Sequence, residues 1–183
     1  MINNPNKKRA FHIGLLILAA YSMLTYTITN NKILGVITDI ISGLAVIGIP
    51  VLMLPLFYSK GNKKLARAYL VSRIIEGALM IMGGVFILDS TLEPYRELIY
   101  SKVHIYLFIL GALFFYTLLY RTQIVPKFIS IWGILATLLL FVVTIINLLG
   151  FDSMVFQILM LPIILNELFL ALWLMSKGLN IKE

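Results

Sequence analysis

Two ionisable side chains near the middle of an apolar stretch are the first candidates for chemistry. The stretch is residues 68–84, AYLVSRIIEGALMIMGG, and it contains Arg73 and Glu76. A spacing of three places both on one face of a helix, where they can form an ion pair. Ionisable groups in hydrocarbon cost between about 3 and about 10 kcal/mol, so this pair should face protein or a water-filled cavity.

A third ionisable residue, Glu167, lies beside Asn166 in the last apolar stretch. Counted from the outer helix ends at about 1.5 Å per residue, Arg73 and Glu167 both lie roughly 21 Å deep. We therefore expect one polar cluster, made of Arg73, Glu76, Asn166 and Glu167. Arg73 should lie within hydrogen-bond or water-bridged reach of Glu167, because a guanidinium keeps its charge and has five donors to satisfy.

Asp39 and His104 form a second expected pair, because both lie roughly 9 Å from the outer side. With Asp39 included, and with Arg67 and Lys102 counted at the span ends, the spans contain three acids against one base. A surplus carboxylate in such a place must take up a proton or find a cation. One arginine between two glutamates can also simply join two helices, so a structural and a ligand-binding interpretation of the cluster both stay open.

Several kinds of chemistry have no residues to support them. The chain has no cysteine and only two histidines, which leaves few ligands for a metal and no thiol nucleophile. It contains no glycine-rich phosphate loop, HExxH or GxSxG motif. We therefore assign no catalytic residue, metal or cofactor. The net charge of +7 lies in loops without a nucleic-acid fold, which favours an anionic lipid surface as partner and no nucleic acid.

Composition indicates a polytopic membrane protein. The 183 residues are 61% hydrophobic and 13% charged, with a mean hydropathy of +0.99, whereas soluble domains are about 45–50% apolar and about 25% charged. We expect an all-α fold, a six-helix transmembrane bundle in one membrane domain over residues 11–176. The predicted segments are an N-terminal segment at 1–10, spans at about 11–29, 33–58, 65–88, 98–120, 128–149 and 154–176, and a tail at 177–183.

Basic residues predict the orientation. Eleven lie at the two ends and in the second and fourth loops, and three lie on the other side of the predicted membrane. The eleven are Lys7, Lys8, Arg9, Lys60, Lys63, Lys64, Arg67, Arg121, Lys127, Lys177 and Lys182, and the three are Lys32, Arg96 and Lys102. By the positive-inside rule both termini are cytoplasmic.

Three segments resemble the prokaryotic membrane proteins grouped as domain of unknown function 4386. They are AYLVSRIIEG (68–77), YRTQIVPKFISIWG (120–133) and LPIILNELFLALWLMSKGLN (161–180), and the resemblance covers most of residues 65–180. It implies R-x-x-E in the third span, Pro-[Arg or Lys] before Trp-Gly, and a last span with Glu followed by A-x-W-L-x-x-K-G. The matching residues are Arg73, Glu76, Pro126, Lys127, Trp132, Gly133, Glu167, Ala171, Trp173, Leu174, Lys177 and Gly178. The resemblance implies a prokaryotic cytoplasmic membrane and supplies no reaction.

These observations support two functional hypotheses. The first is a non-enzymatic membrane protein whose polar cavity binds a small molecule, a lipid headgroup or a proton, in a transport, sensing or accessory role. The second is a small intramembrane enzyme acting on a lipid or isoprenoid, with Glu76, Glu167 or His104 as general acid or base. A structural role beside a membrane-protein partner, or in a homo-oligomer, is the third interpretation.

Overall fold

The structure is a computed structural model that describes residues 5–59, 61–150 and 158–180. Those residues are helices joined by short turns, with no strand among them, as the sequence predicts. The elements are α1 (Pro5–Ala20), a 3₁₀ turn (Tyr21–Met23), α2 (Leu24–Thr29), α3 (Lys32–Ser59), α4 (Lys63–Phe86), α5 (Glu93–Leu98), a π-helical segment (Ile99–His104), α6 (Ile105–Thr122), α7 (Lys127–Leu148) and α8 (Leu161–Ser176).

Five helical stretches are long and apolar enough to cross a membrane. They are Pro5–Thr29, Lys32–Tyr58, Lys63–Phe86, Glu93–Thr122 and Lys127–Leu148. The sixth predicted span corresponds to α8, which is apolar but has 16 residues. The predicted start of that span, residues 154–157, lies outside the described residues.

Two helices begin earlier than the sequence predicts. The first begins at Pro5 rather than residue 11, and the fourth begins at Glu93 rather than residue 98. Pro94 occupies one of the first two positions of α5, where a proline is favoured because its missing N–H would have no helical partner. The connection between the predicted third and fourth spans is therefore shorter than expected, and Arg96 belongs to a helix.

The long helices close into a ring. Helix α1 packs against α3, then α3 against α4, α4 against α6, α6 against α7, α7 against α8, and α8 returns to α1. Each helix therefore has one neighbour on either side, and side chains from all six point into a shared centre. In this arrangement a polar residue of one helix can meet residues of helices that are not its neighbours.

Glycines bring α3 and α4 into backbone contact. A Cβ atom added to Gly43 would lie 2.5 Å from the carbonyl oxygen of Gly77, and the reverse distance is also 2.5 Å. Near the start of α3 and the end of α4, a Cβ atom added to Gly84 would lie 2.7 Å from the Cβ of Asp39. Between helices in lipid, small residues permit the close van der Waals packing that replaces the hydrophobic effect. These glycines thus fix the position from which Asp39 reaches into the ring.

The π-helical segment keeps one face of a long helix turned toward the centre. Arg96, Tyr100, His104 and Phe108 follow one another at a spacing of four, and all line the ring's interior. A regular α-helix has 3.6 residues per turn, so a stripe at this spacing would drift around the helix. The wider π turn accommodates more residues per turn and opposes that drift.

We expect Gly77→Val to lower the free energy of unfolding by about 1–3 kcal/mol, because the new side chain must enter the α3–α4 backbone contact. Ala78→Val is the matched control, since Ala78 is exposed on the same helix. Thermal unfolding in detergent, followed by circular dichroism, measures both. Equal melting temperatures for the two variants would contradict the assigned role of Gly77.

Candidate functional site

A cavity of about 390 Å³ occupies the centre of the ring, and we call it the central cavity. All six long helices contribute apolar side chains to its wall; one from each is Ile17, Ile49, Met80, Phe115, Leu140 and Leu170. Sites for small molecules in proteins are about 300–1,000 Å³ and mostly apolar, with a few convergent polar groups. The central cavity has this size and this character.

Arg73 and Glu76 form a buried ion pair on the cavity wall. Arg73 Nη1 donates to Glu76 Oε2 at 2.7 Å, and the two side chains are 8% and 1% exposed. The Arg73 guanidinium also lies over the rings of Tyr69 and Phe108, with its Cζ 5.7 and 5.4 Å from their centroids. A Cβ on Gly111 would lie 2.7 Å from Arg73 Nε. The spacing of three therefore predicts the contact correctly, and Gly111 makes room for the guanidinium.

The second oxygen of Glu76 faces His104. His104 Nε2 lies 3.4 Å from Glu76 Oε1, but the geometry gives this nitrogen no hydrogen bond. His104 is 6% exposed and ends the π-helical segment. We call Arg73, Glu76 and His104 the Arg73 cluster.

Asp39 does not bind His104, which corrects the expected pairing. Its carboxylate accepts from Arg96, with Nε to Oδ2 at 2.9 Å and Nη2 to Oδ1 at 3.3 Å. The Arg96 guanidinium also lies over the rings of Tyr26 and Tyr100, with its Cζ 4.8 and 4.5 Å from their centroids. We call these four residues the Arg96 cluster. Asp39 is 0% exposed and Arg96 8%, so this is a second buried charge pair.

Sequence reasoning missed Arg96 because it placed the residue in a loop. The signals that could have found it are Pro94, which marks an earlier helix start, and the spacing of four from Arg96 to Tyr100, which places an aromatic ring one turn away. Starting the helix at Glu93 brings Arg96 to the depth of Asp39. His104, two turns further along, is then left to face Glu76.

Glu93 holds the ring of Tyr26 in place. Its carboxylate accepts a hydrogen bond from the Tyr26 hydroxyl and pairs with Lys32 Nζ at 2.7 Å. These contacts connect the ends of α2, α3 and α5 beside the Arg96 cluster.

Glu167 lies on the cavity wall but binds a different residue from the one expected. Its Oε2 accepts a hydrogen bond from the Tyr21 hydroxyl at 2.7 Å. Within the described residues, Arg73 and Glu167 form no ion pair at 4.0 Å or less. Arg73 is supplied with an anion by Glu76 and with ring faces by Tyr69 and Phe108. The expected Arg73–Glu167 contact is therefore not direct, although both side chains line the central cavity.

Asn166 lies outside the central cavity. Its Nδ2 donates to the carbonyl oxygen of Ile129 at 3.1 Å, and this joins α8 to α7. Successive residues of an α-helix point about 100° apart, so Asn166 and its neighbour Glu167 face different directions. The expected cluster of four residues thus loses Asn166 and contains two separate groups, the Arg73–Glu76 pair and the Glu167–Tyr21 pair.

Tyr21 also escaped the sequence reasoning, because a neutral hydroxyl in an apolar stretch gives no charge signal. It lies in the 3₁₀ turn that separates α1 from α2.

Among the residues that the structure describes, no three His, Cys, Asp or Glu side chains come together as a metal site.

We expect Glu76→Gln to destabilise the protein by about 3–5 kcal/mol, because it leaves the Arg73 guanidinium buried without an anion. Glu167→Gln should cost less, since an amide oxygen can still accept from Tyr21. Double-mutant cycles with Arg73→Gln, measured as unfolding in detergent, should give a larger coupling energy for Glu76 than for Glu167. A larger coupling energy for Glu167 than for Glu76 would instead indicate a direct Arg73–Glu167 contact.

Comparison with known proteins identifies a family. The family model DUF4386, described as a domain of unknown function, matches residues 29–178. No curated protein and no solved structure matches the chain. The matched segment includes α3 to α8, and with them every charged side chain of the Arg73 and Arg96 clusters and Glu167.

Proposed function

The chain belongs to the DUF4386 family, whose description assigns no activity, and from that premise we propose a multi-pass membrane protein whose central cavity binds a small amphipathic molecule. The membrane assignment is supported by the five long apolar helices. The binding assignment is supported by one observation above all, a cavity of about 390 Å³ lined by side chains from all six helices. The proposal places the protein in a prokaryotic cytoplasmic membrane.

The proposed topology has six spans with both termini in the cytoplasm. Helix α8 has 16 described residues and is about 24 Å long, against a hydrocarbon core of about 30 Å. The sixth span therefore has to include residues before Leu161. The orientation rests on the eleven-to-three distribution of Lys and Arg.

Topology can be measured with paired reporter fusions. Alkaline phosphatase fused after Ser90 should be active, because the turn between α4 and α5 lies outside. The same reporter fused after Gln123, between α6 and α7, should be inactive, and a green fluorescent protein fused there should fluoresce. The opposite pattern would mean that the orientation is reversed. The same behaviour at both sites would mean that the chain between Ser90 and Gln123 does not cross the membrane once, as proposed.

The cavity supports binding because closely packed interiors do not leave such a space. Protein cores pack at densities of about 0.75, with few voids larger than a water molecule. Charged groups that only joined helices would need no free volume beside them. Here Arg73, Glu76 and Glu167 border the same open volume as Ile49, Phe115 and Leu170. A molecule with a polar head and an apolar body matches this division.

We expect a small molecule to copurify with the protein and to be displaced when the cavity is filled. Leu140 is buried on the cavity wall, whereas Leu138 is exposed on the same helix. Native mass spectrometry should therefore show less bound molecule for Leu140→Trp than for the wild type, and an unchanged amount for Leu138→Trp. No bound molecule in the wild type, or equal loss in both variants, would contradict binding in the central cavity.

The approach of His104 to Glu76 favours a second candidate, an intramembrane enzyme acting on a lipid or isoprenoid. A histidine beside a carboxylate in a cavity can move a proton. Lipid analysis of a strain lacking the protein separates the two candidates. An accumulating precursor indicates an enzyme, and an unchanged lipid profile indicates a binding protein.

A further inference from the structure

Among the residues that the structure describes, the carboxyl group of Glu167 on the cavity wall has no ion-pair partner within 4.0 Å. Arg96 is bound by both oxygens of Asp39, and Arg73 is bound by Glu76. These contacts neutralise both arginines, and within the described part of the chain Glu167 has one hydrogen-bond donor, the neutral hydroxyl of Tyr21. His104 aside, the described residues of the ring place three carboxyl groups, those of Asp39, Glu76 and Glu167, against two guanidinium groups. When all three carboxyls are ionised, one negative charge is in surplus.

The surroundings of Glu167 do not supply the missing charge. Helix α4 presents Tyr69, Arg73 and Glu76, and the charges of the last two oppose each other. The other titratable groups on the cavity wall are Tyr21 from the 3₁₀ turn, Arg96 from α5, and Tyr100 and His104 from the π segment, and Tyr116 of α6 lies close to Glu167. The charge of Arg96 is already met by Asp39. The residues that α3, α7 and α8 otherwise contribute to the cavity wall are apolar.

We propose that the central cavity binds a monovalent organic cation in exchange for one proton. The ammonium group of a small amphipathic amine or quaternary ammonium compound lies against Glu167, and its apolar body lies along the cavity wall. Without the cation, the carboxyl of Glu167 holds the proton. Binding leaves a carboxylate paired with the cation and releases one proton to solvent, so charge and protons balance. This inference rests on the proposed function, since it names the ligand class of the same cavity.

Two features of the site favour a cation over an anion or a neutral compound. A buried carboxylate must be protonated or paired with positive charge. The aromatic wall also accommodates positive charge already, because Tyr69 and Phe108 face the guanidinium of Arg73. Aromatic faces attract ammonium groups in the same way. An anion would find the guanidinium groups of Arg73 and Arg96 already paired with carboxylates, and a neutral molecule would leave the carboxyl proton in place.

Three probes of similar size test the ligand class. They are benzyltrimethylammonium, its neutral carbon isostere 2,2-dimethylpropylbenzene, and the anion phenylmethanesulfonate. With the full chain in a neutral detergent, the cation should bind at least about tenfold more tightly than either of the others. A pH indicator in weak buffer should report release of about one proton per bound cation. Because proton and cation compete for the same carboxylate, the affinity for the cation should fall about tenfold for each unit by which the pH is lowered, as long as the site is protonated.

Glu167→Gln should weaken cation binding by about tenfold or more, and should abolish both proton release and the pH dependence. Its affinity for the neutral isostere should stay unchanged. Glu97→Gln is the matched control: Glu97 is an exposed residue of α5, and the variant should behave as the wild type. If Glu167→Gln does not fold, the three probes and the pH series on the wild-type protein decide the question alone.

Equal binding of the cation and its neutral isostere would overturn the inference and leave the proposed binding function standing. Preference for the anion would overturn it in the same way. Failure of all three probes to bind, while a molecule still copurifies with the wild type, would reject the cation and keep the cavity as a binding site. Failure of the probes together with an empty wild-type protein would reject both proposals.

Discussion

Ionised side chains inside a ring of apolar helices are the constraint on which the other features depend. Each such charge needs an opposite charge or strong hydrogen bonds nearby, because the surroundings cannot solvate it. The contacts that meet this need also connect the helices. Arg96 and Asp39 connect α5 to α3. Tyr21, in the turn that follows α1, connects that turn to Glu167 on α8. The Arg73 guanidinium lies over the ring of Phe108 on α6. Electrostatic necessity thus holds together helices that apolar packing in lipid would join only weakly.

Close packing and open space are divided between different parts of the ring. Where α3 meets α4, Gly43 and Gly77 let the backbones touch, and Gly14 of α1 does the same against the carbonyl of Ala171 on α8. Larger side chains point toward the centre, where six helices arranged in a ring leave volume that they do not fill. The glycines therefore stabilise the wall without closing the cavity.

Sequence reasoning succeeded where contacts are local and fell short where they join separate helices. Apolar runs predicted the helices, and a spacing of three predicted the Arg73–Glu76 pair, because both depend on the geometry of one helix. Depth counting proposed the Arg73–Glu167 and Asp39–His104 contacts, yet depth is one coordinate of three. The rotation of each helix and its starting residue decide the rest. An early start at Glu93 gave Asp39 a closer partner in Arg96, and the rotation of α8 turned Asn166 toward Ile129.

The π-helical segment Ile99–His104 has a consequence for how this chain can change by insertion and deletion. A π turn is in effect one extra residue accommodated within an α-helix. Deleting one residue there would restore a regular α-helix and leave the residues before and after the segment facing nearly their present directions, because the wider turn already absorbs the roughly 100° that one residue adds to an α-helix. His104 would keep its place beside Glu76, and Arg96 its place beside Asp39. A single deletion in a regular part of the same helix would instead rotate the two buried charge clusters apart, so this segment is where the helix can lose one residue and keep both.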